Sequence, residues 1–220
     1  MKALSFINWN MLNEAVIPWD SHDGLREFYD GVIELITLYT NQANIDYLEI
    51  DDLKAIGDNH GIEIVTYDEF LDELPDEVKH TAPPRRAGLF ALVNPDTGGP
   101  RVVVAIPRID KRAIDYIYHM LKHEVIHVEQ FRRRPDDVAH NLPDPANQPE
   151  YFSNKDEVMA FSHSIADMLI TSGRYEDVES AMNSLATIEL YTIVKKSVDS
   201  KTLKRYHKYI YMYLQNEIGE

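Results

Sequence analysis

Residues 110–131 read DKRAIDYIYHMLKHEVIHVEQF. Asp110 is a residue type that caps helices, and no proline or glycine interrupts the run to Phe131, so the stretch predicts one long helix. A helix turns about 100° per residue, which puts His123 and His127 about 40° apart, one turn above the other. Ile114, Leu121, Val125 and Val128 fall roughly opposite them and form an apolar stripe to bury. The pattern predicts a helix docked by one face, with the histidine face opening on a cleft.

Outward from this helix the chain changes character. Upstream, 89–93 and 101–106 are apolar, β-prone runs, and Asn94-Pro95-Asp96-Thr97-Gly98-Gly99-Pro100 between them is dense in turn residues. This predicts a hairpin, ended by Pro107. Thr81-Ala82-Pro83-Pro84-Arg85-Arg86 is the best internal boundary. Before it, residues 1–80 form a mixed α/β region of no assigned role. They carry a helical pattern over 23–40 (Leu25, Phe28, Tyr29, Val32, Ile33, Ile36), a short helix over 51–59 closed by Gly61, and a strand over 62–67. Downstream, residues 132–152 hold four prolines and read as a loop. Helices follow over about 154–171, with Gly173 just beyond, then 175–198 and 200–216. The fold class expected is α+β: a mostly helical body with a small antiparallel sheet or hairpin, residues 87–220 forming the core.

Composition bounds the function. The 220 residues are 44% hydrophobic and 27% charged, ordinary for a globular protein. A net charge of −15 repels a nucleic-acid backbone, so no nucleic-acid partner is expected. Acidic residues crowd 46–77, where Lys54 is the one basic residue; a solvated face is the plain reading. No cysteine is present, which excludes disulfides, thiolate zinc sites and cysteine nucleophiles. The first ten residues lack a signal-like apolar run, and no stretch approaches a bilayer span. The expectation is a soluble cytoplasmic protein with no membrane partner.

His123-Glu124-Val125-Ile126-His127 is H-E-x-x-H. Two imidazoles one turn apart can reach a single zinc at about 2.0–2.1 Å, and Glu124, about 100° round, can act as general base on a water held there. The plain alternative is two histidines solvated on a helix. A catalytic zinc takes a third protein ligand and keeps a position open. Candidates are His119, one turn earlier; His140, in the proline-rich segment; and Glu157, in the first turn of the next helix. At Glu157 a carboxylate is favoured by the helix dipole even without a metal. Ala160, three residues on, leaves room for another helix. Tyr151, His140 and His163 are candidate donors to an oxyanion, with Tyr151 also suited to packing and His163 pointing elsewhere. Gln130 shares the histidine face and can brace a ligand or a substrate. Arg132-Arg133-Arg134 suits a helix C-terminus, or the selection of acidic side chains. Tyr206, Tyr209, Tyr211 and Tyr213 point in several directions, as packing residues do.

His123-Glu124-x-x-His127 followed by a carboxylate opening a second helix resembles the gluzincin class of zinc peptidases. With Val128-Glu129-Gln130 and Tyr151-x-Ser153-x-x-x-Glu157-x-x-Ala160-Phe161, the chain more narrowly resembles small metallopeptidase-like proteins encoded by bacteriophages. The resemblance spans about 89–169. It implies a zinc cofactor on His123, His127 and Glu157, with Glu124 as base, and a peptide or protein substrate. It also implies a place in a host cytoplasm or a virion. Glu157 follows His127 by thirty residues, more than in thermolysin-like enzymes, and the Asp those enzymes carry one turn further on is Phe161 here. The hairpin strand 101–106 is expected to take an extended peptide by strand addition. The alternative function is a zinc-containing binding or assembly protein without turnover, against which an intact Glu124 argues. A purely structural zinc is disfavoured, since four closed ligands are not evident.

Overall fold

A computed structural model describes residues 25–41, 47–77, 79–82, 89–93, 100–105, 109–133, 146–173, 175 and 177–218. These divide into two compact units, one within 18–145 and the other from 146 onward. The fold is α+β, mostly helical with a small mixed sheet.

In the first unit, α1 (Leu25–Asn41) buries Phe28, Tyr29, Val32 and Tyr39, the face its helical spacing defines. Strand β1 (Tyr47–Leu48) pairs antiparallel with β5 (Ile109–Asp110). Helix α2 (Ile50–Asn59) then runs into β2 (Glu63–Thr66) through a turn that only glycine serves twice. Gly61 has φ 70°, and a Cβ on Gly57 would lie 2.3 Å from the Ile62 carbonyl oxygen. Thr66 ends the strand and opens α3 (Tyr67–Glu73) with a reciprocal capping box to Glu69.

Strands β3 (Leu89–Val93) and β4 (Pro100–Val104) pair antiparallel, as the hairpin pattern predicts; the turn itself lies outside the described residues. The sheet departs from expectation in its third member. β2 pairs with β4 in parallel, giving the order β2-β4-β3, so the sheet is mixed and joins strands from either side of the boundary expected at 81–86. Parity then sorts the side chains. Ile64, Val102, Val104 and Leu89 face one core with α1, α2 and α4 (Lys111–Arg133), while Val65 and Val103 face a second core under Phe70 and Phe90. Every residue of β4 is buried, as a central strand covered on both faces must be. Arg101, on the second face, is held by Glu63 at 3.0 Å and Glu73 at 2.6 Å. Part of the acidic stretch 46–77 thus pairs one buried guanidinium, while the Glu73 side chain stays half-exposed.

The second unit is helical: α5 (Gln148–Ser153), α6 (Lys155–Thr171), α7 (Val178–Asn183), α8 (Glu189–Ser197) and α9 (Ser200–Ile218). Helix α5 corrects the loop expected over 132–152, and α4 itself continues to Arg133. Pro149 does not break α5, because it sits in the first turn, where its missing N–H has no intrahelical acceptor to lose. The helix expected over 175–198 is two helices joined by a 3₁₀ turn at Leu185–Thr187, with Asp177 capping the first. Asn154 caps α6 by accepting from the Asp156 N–H at 2.9 Å, and Gly173 beyond it has φ 60°. Helix α6 packs on α9, where Val158, Ile165 and Leu169 meet Tyr206, Tyr209, Ile210, Tyr213 and Leu214. Three of the four tyrosines in α9 are therefore core. No helix among the described residues is long and apolar enough to cross a membrane.

Candidate metal centre

The chemistry on α4 is set by what surrounds the histidines. Ile117, Leu121 and Val125 enter the first unit's core and fix the rotation of the helix. Val128 is buried too, and the side chain of Ile114 lies outside the described residues. The same rotation brings His123 and His127 together: their rings meet edge-on with centroids 4.8 Å apart, and their Nε2 atoms approach to 3.1 Å. They are 6% and 8% exposed, so both rings are buried. Helix periodicity says which residues share a face, not what covers it.

A third side chain joins them. Gln130 Oε1 lies 2.7 Å from His127 Nδ1, and Gln130 is 1% exposed. An amide oxygen only accepts, so the ring nitrogen donates, and Nε2 of the neutral ring then carries the lone pair. Two nitrogens each about 2.0–2.1 Å from a tetrahedral ion stand roughly 3.3 Å apart. The observed 3.1 Å approach is close to that span, so the pair fits a shared metal with little adjustment. Glu124 is half-buried on the next residue round the helix.

The remaining candidates separate by place. His119 is half-buried beside the Tyr118 ring at 5.4 Å. Lys122, which the sequence reading passed over, is buried on α4 with its Nζ 4.3 Å from the Tyr118 ring centroid and 5.4 Å from that of Tyr29. Tyr118, four residues earlier on the helix, was the available signal, because i and i+4 share a face. His140 and Arg134 lie outside the described residues, as do the side chains of Arg132 and Arg133.

In the second unit, Glu157 occupies the first turn of α6 and is 7% exposed. Burial pushes the Tyr206 hydroxyl well above the usual phenol range, and the Glu157 charge pushes it further. That hydroxyl donates to the Phe152 carbonyl at 2.9 Å. Ala160 is fully buried. Tyr151 is half-buried in an aromatic cluster, with ring centroids 5.5 Å from Phe152 and 5.6 Å from Phe161. His163 packs edge-on against Tyr213 at 4.9 Å. Both are held as packing residues hold one another.

Comparison with models of protein families, with curated proteins and with solved structures gave no match to this chain.

Proposed function

We propose that this protein is a zinc-dependent hydrolase of peptide bonds, with His123, His127 and Glu157 as metal ligands and Glu124 as general base. The observation that carries the reading is the 3.1 Å approach of the two Nε2 atoms, with a carboxylate on the adjacent residue. Two imidazoles and one carboxylate, each offering one ligand atom, are the donor set of a catalytic zinc that keeps its fourth position open. Glu157 enters on its place in the first turn of α6, the position that the resemblance gives to the third ligand. A bound zinc supplies Lewis acidity toward the scissile carbonyl and a nucleophilic water at neutral pH.

Glu124 takes the proton of the attacking water and delivers it to the departing amine nitrogen. Tyr151 and His140 are the side chains we assign for testing as donors to the oxyanion. Strand β4 is not the peptide-binding edge expected from sequence, because β2 and β3 occupy both of its sides.

The test is metal analysis of the purified protein together with cleavage of a broad peptide library, with a chelator control. About one zinc per chain and chelator-sensitive cleavage uphold the proposal. Zinc without cleavage favours a binding or assembly protein, and a metal-free protein of full stability sinks the site.

A further inference from the structure

The gluzincin resemblance leaves a position unfilled. The residue one turn beyond Glu157, where thermolysin-like enzymes carry an aspartate, is Phe161, and its ring packs 5.0 Å from Phe152 and 5.6 Å from Tyr151. A phenyl ring accepts no hydrogen bond from an imidazole N–H in the way a carboxylate does. Metal-bound histidines nonetheless depend on such an acceptor, which fixes the tautomer and the ring's rotation.

We propose that Gln130 is the positioning residue for His127, its amide oxygen holding the proton on Nδ1 so that Nε2 presents its lone pair to the metal. The consequence for zinc rests on the reading given above; the geometry does not. His127 and Gln130 are three residues apart on α4 and therefore share a face, so the brace is built into the ligand's own helix. Both side chains are buried, which removes water as a competing partner for Nδ1. Without the acceptor, the neutral ring is free to place its proton on Nε2, where it would block the ligand position.

The choice of an amide over a carboxylate has a chemical result. An aspartate or glutamate on Nδ1–H draws the proton toward itself and makes the imidazole a stronger donor to the metal. A glutamine orients the ring without adding charge. The site therefore holds its ion less tightly than a carboxylate-braced one and leaves more positive charge on the metal.

The experiment pairs two variants with two readouts. Gln130→Met keeps the side chain's length without the acceptor, and Gln130→Glu keeps an acceptor and adds charge. ¹⁵N NMR of metal-free, histidine-labelled protein reads the tautomer of His127 directly. Zn2+ titration against a chromophoric chelator reads affinity. The proton should sit on Nδ1 in wild type and in Gln130→Glu, and shift at least partly to Nε2 in Gln130→Met. Zinc should bind about 10–100-fold more weakly to Gln130→Met, and at least as tightly to Gln130→Glu as to wild type. An Nε2-protonated His127 in the wild type overturns the proposal. So does a Gln130→Met protein with unchanged tautomer and affinity. Should Gln130→Met fail to fold, the wild-type tautomer and the Gln130→Glu titration still decide it, weaker zinc in Gln130→Glu counting against. A wild type that binds no Zn2+ overturns the metal reading, while the tautomer measured in the same sample separately upholds or overturns the role of Gln130.

Discussion

Replacing Glu124 by glutamine is the perturbation on which the proposed chemistry turns. The side chain is half-buried on α4 and separated by one residue's rotation from His123, so it stands beside the proposed ligand pair without being part of it. Glutamine preserves its length and planar head, and no core residue moves. The fold should be retained, since the substitution leaves no cavity. Zinc content should be unchanged, because the imidazole nitrogens that approach to 3.1 Å are untouched. Catalysis should not survive. A general base contributes about 10²–10⁴-fold, or roughly 2.7–5.5 kcal/mol of barrier. The assay follows cleavage of a broad peptide library by wild type and Glu124→Gln, with metal analysis and thermal melts on the same samples. Equal cleavage by the two proteins, at equal zinc content, would refute the assignment of Glu124 as base.

Among the ligands, His127→Ala should lose most of the zinc, and Glu157→Ala should weaken its binding far more than His119→Ala or His140→Ala; the reverse ranking by metal titration would move the third ligand off α6. Tyr206→Phe removes a fully buried hydroxyl that donates to the Phe152 carbonyl, and should cost about 1–2 kcal/mol in chemical denaturation, with an unchanged midpoint counting against that bond. Glu69 is bound by Lys54 at 2.7 Å and by the Thr66 N–H, and these hold its carboxyl down to about 2. A carboxylate depressed in the fold stabilises fully above its unfolded value near 4.3 and loses that stabilisation as pH falls toward 2. Wild type should therefore exceed Glu69→Gln in unfolding free energy near neutral pH, by under about 1 kcal/mol because the pair is partly exposed, and the gap in chemical denaturation should close on acidification. A gap that persists at the acid end would point to a cause other than the charge.

What the sequence by itself determined is what local physics controls. The periodicity of 110–131 set the helix and put His123, His127 and Gln130 on one face, because a helix's geometry depends on residues three and four apart. Gly61 and Gly173 marked helix ends, where they adopt positive φ, and the hairpin partners β3 and β4 were legible from two apolar, β-prone runs around a turn. The breaks inside 148–197 were harder to read. Pro149 suggested a loop but stands in a helix's first turn, and Ser184 interrupts a pattern that periodicity alone carries through. Only the tertiary structure decided the rest. The parallel pairing of β2 with β4 joins segments more than thirty residues apart, and it made β4 an interior strand, closed to an added peptide. That pairing also placed Arg101 between Glu63 and Glu73, a contact that composition does not encode. The burial of the histidine rings was equally beyond the sequence, since burial depends on what the rest of the chain brings to a face. Spacing along one helix can bring two imidazoles into register, but whether their rings stand in water or are buried is settled by contacts that no local pattern encodes.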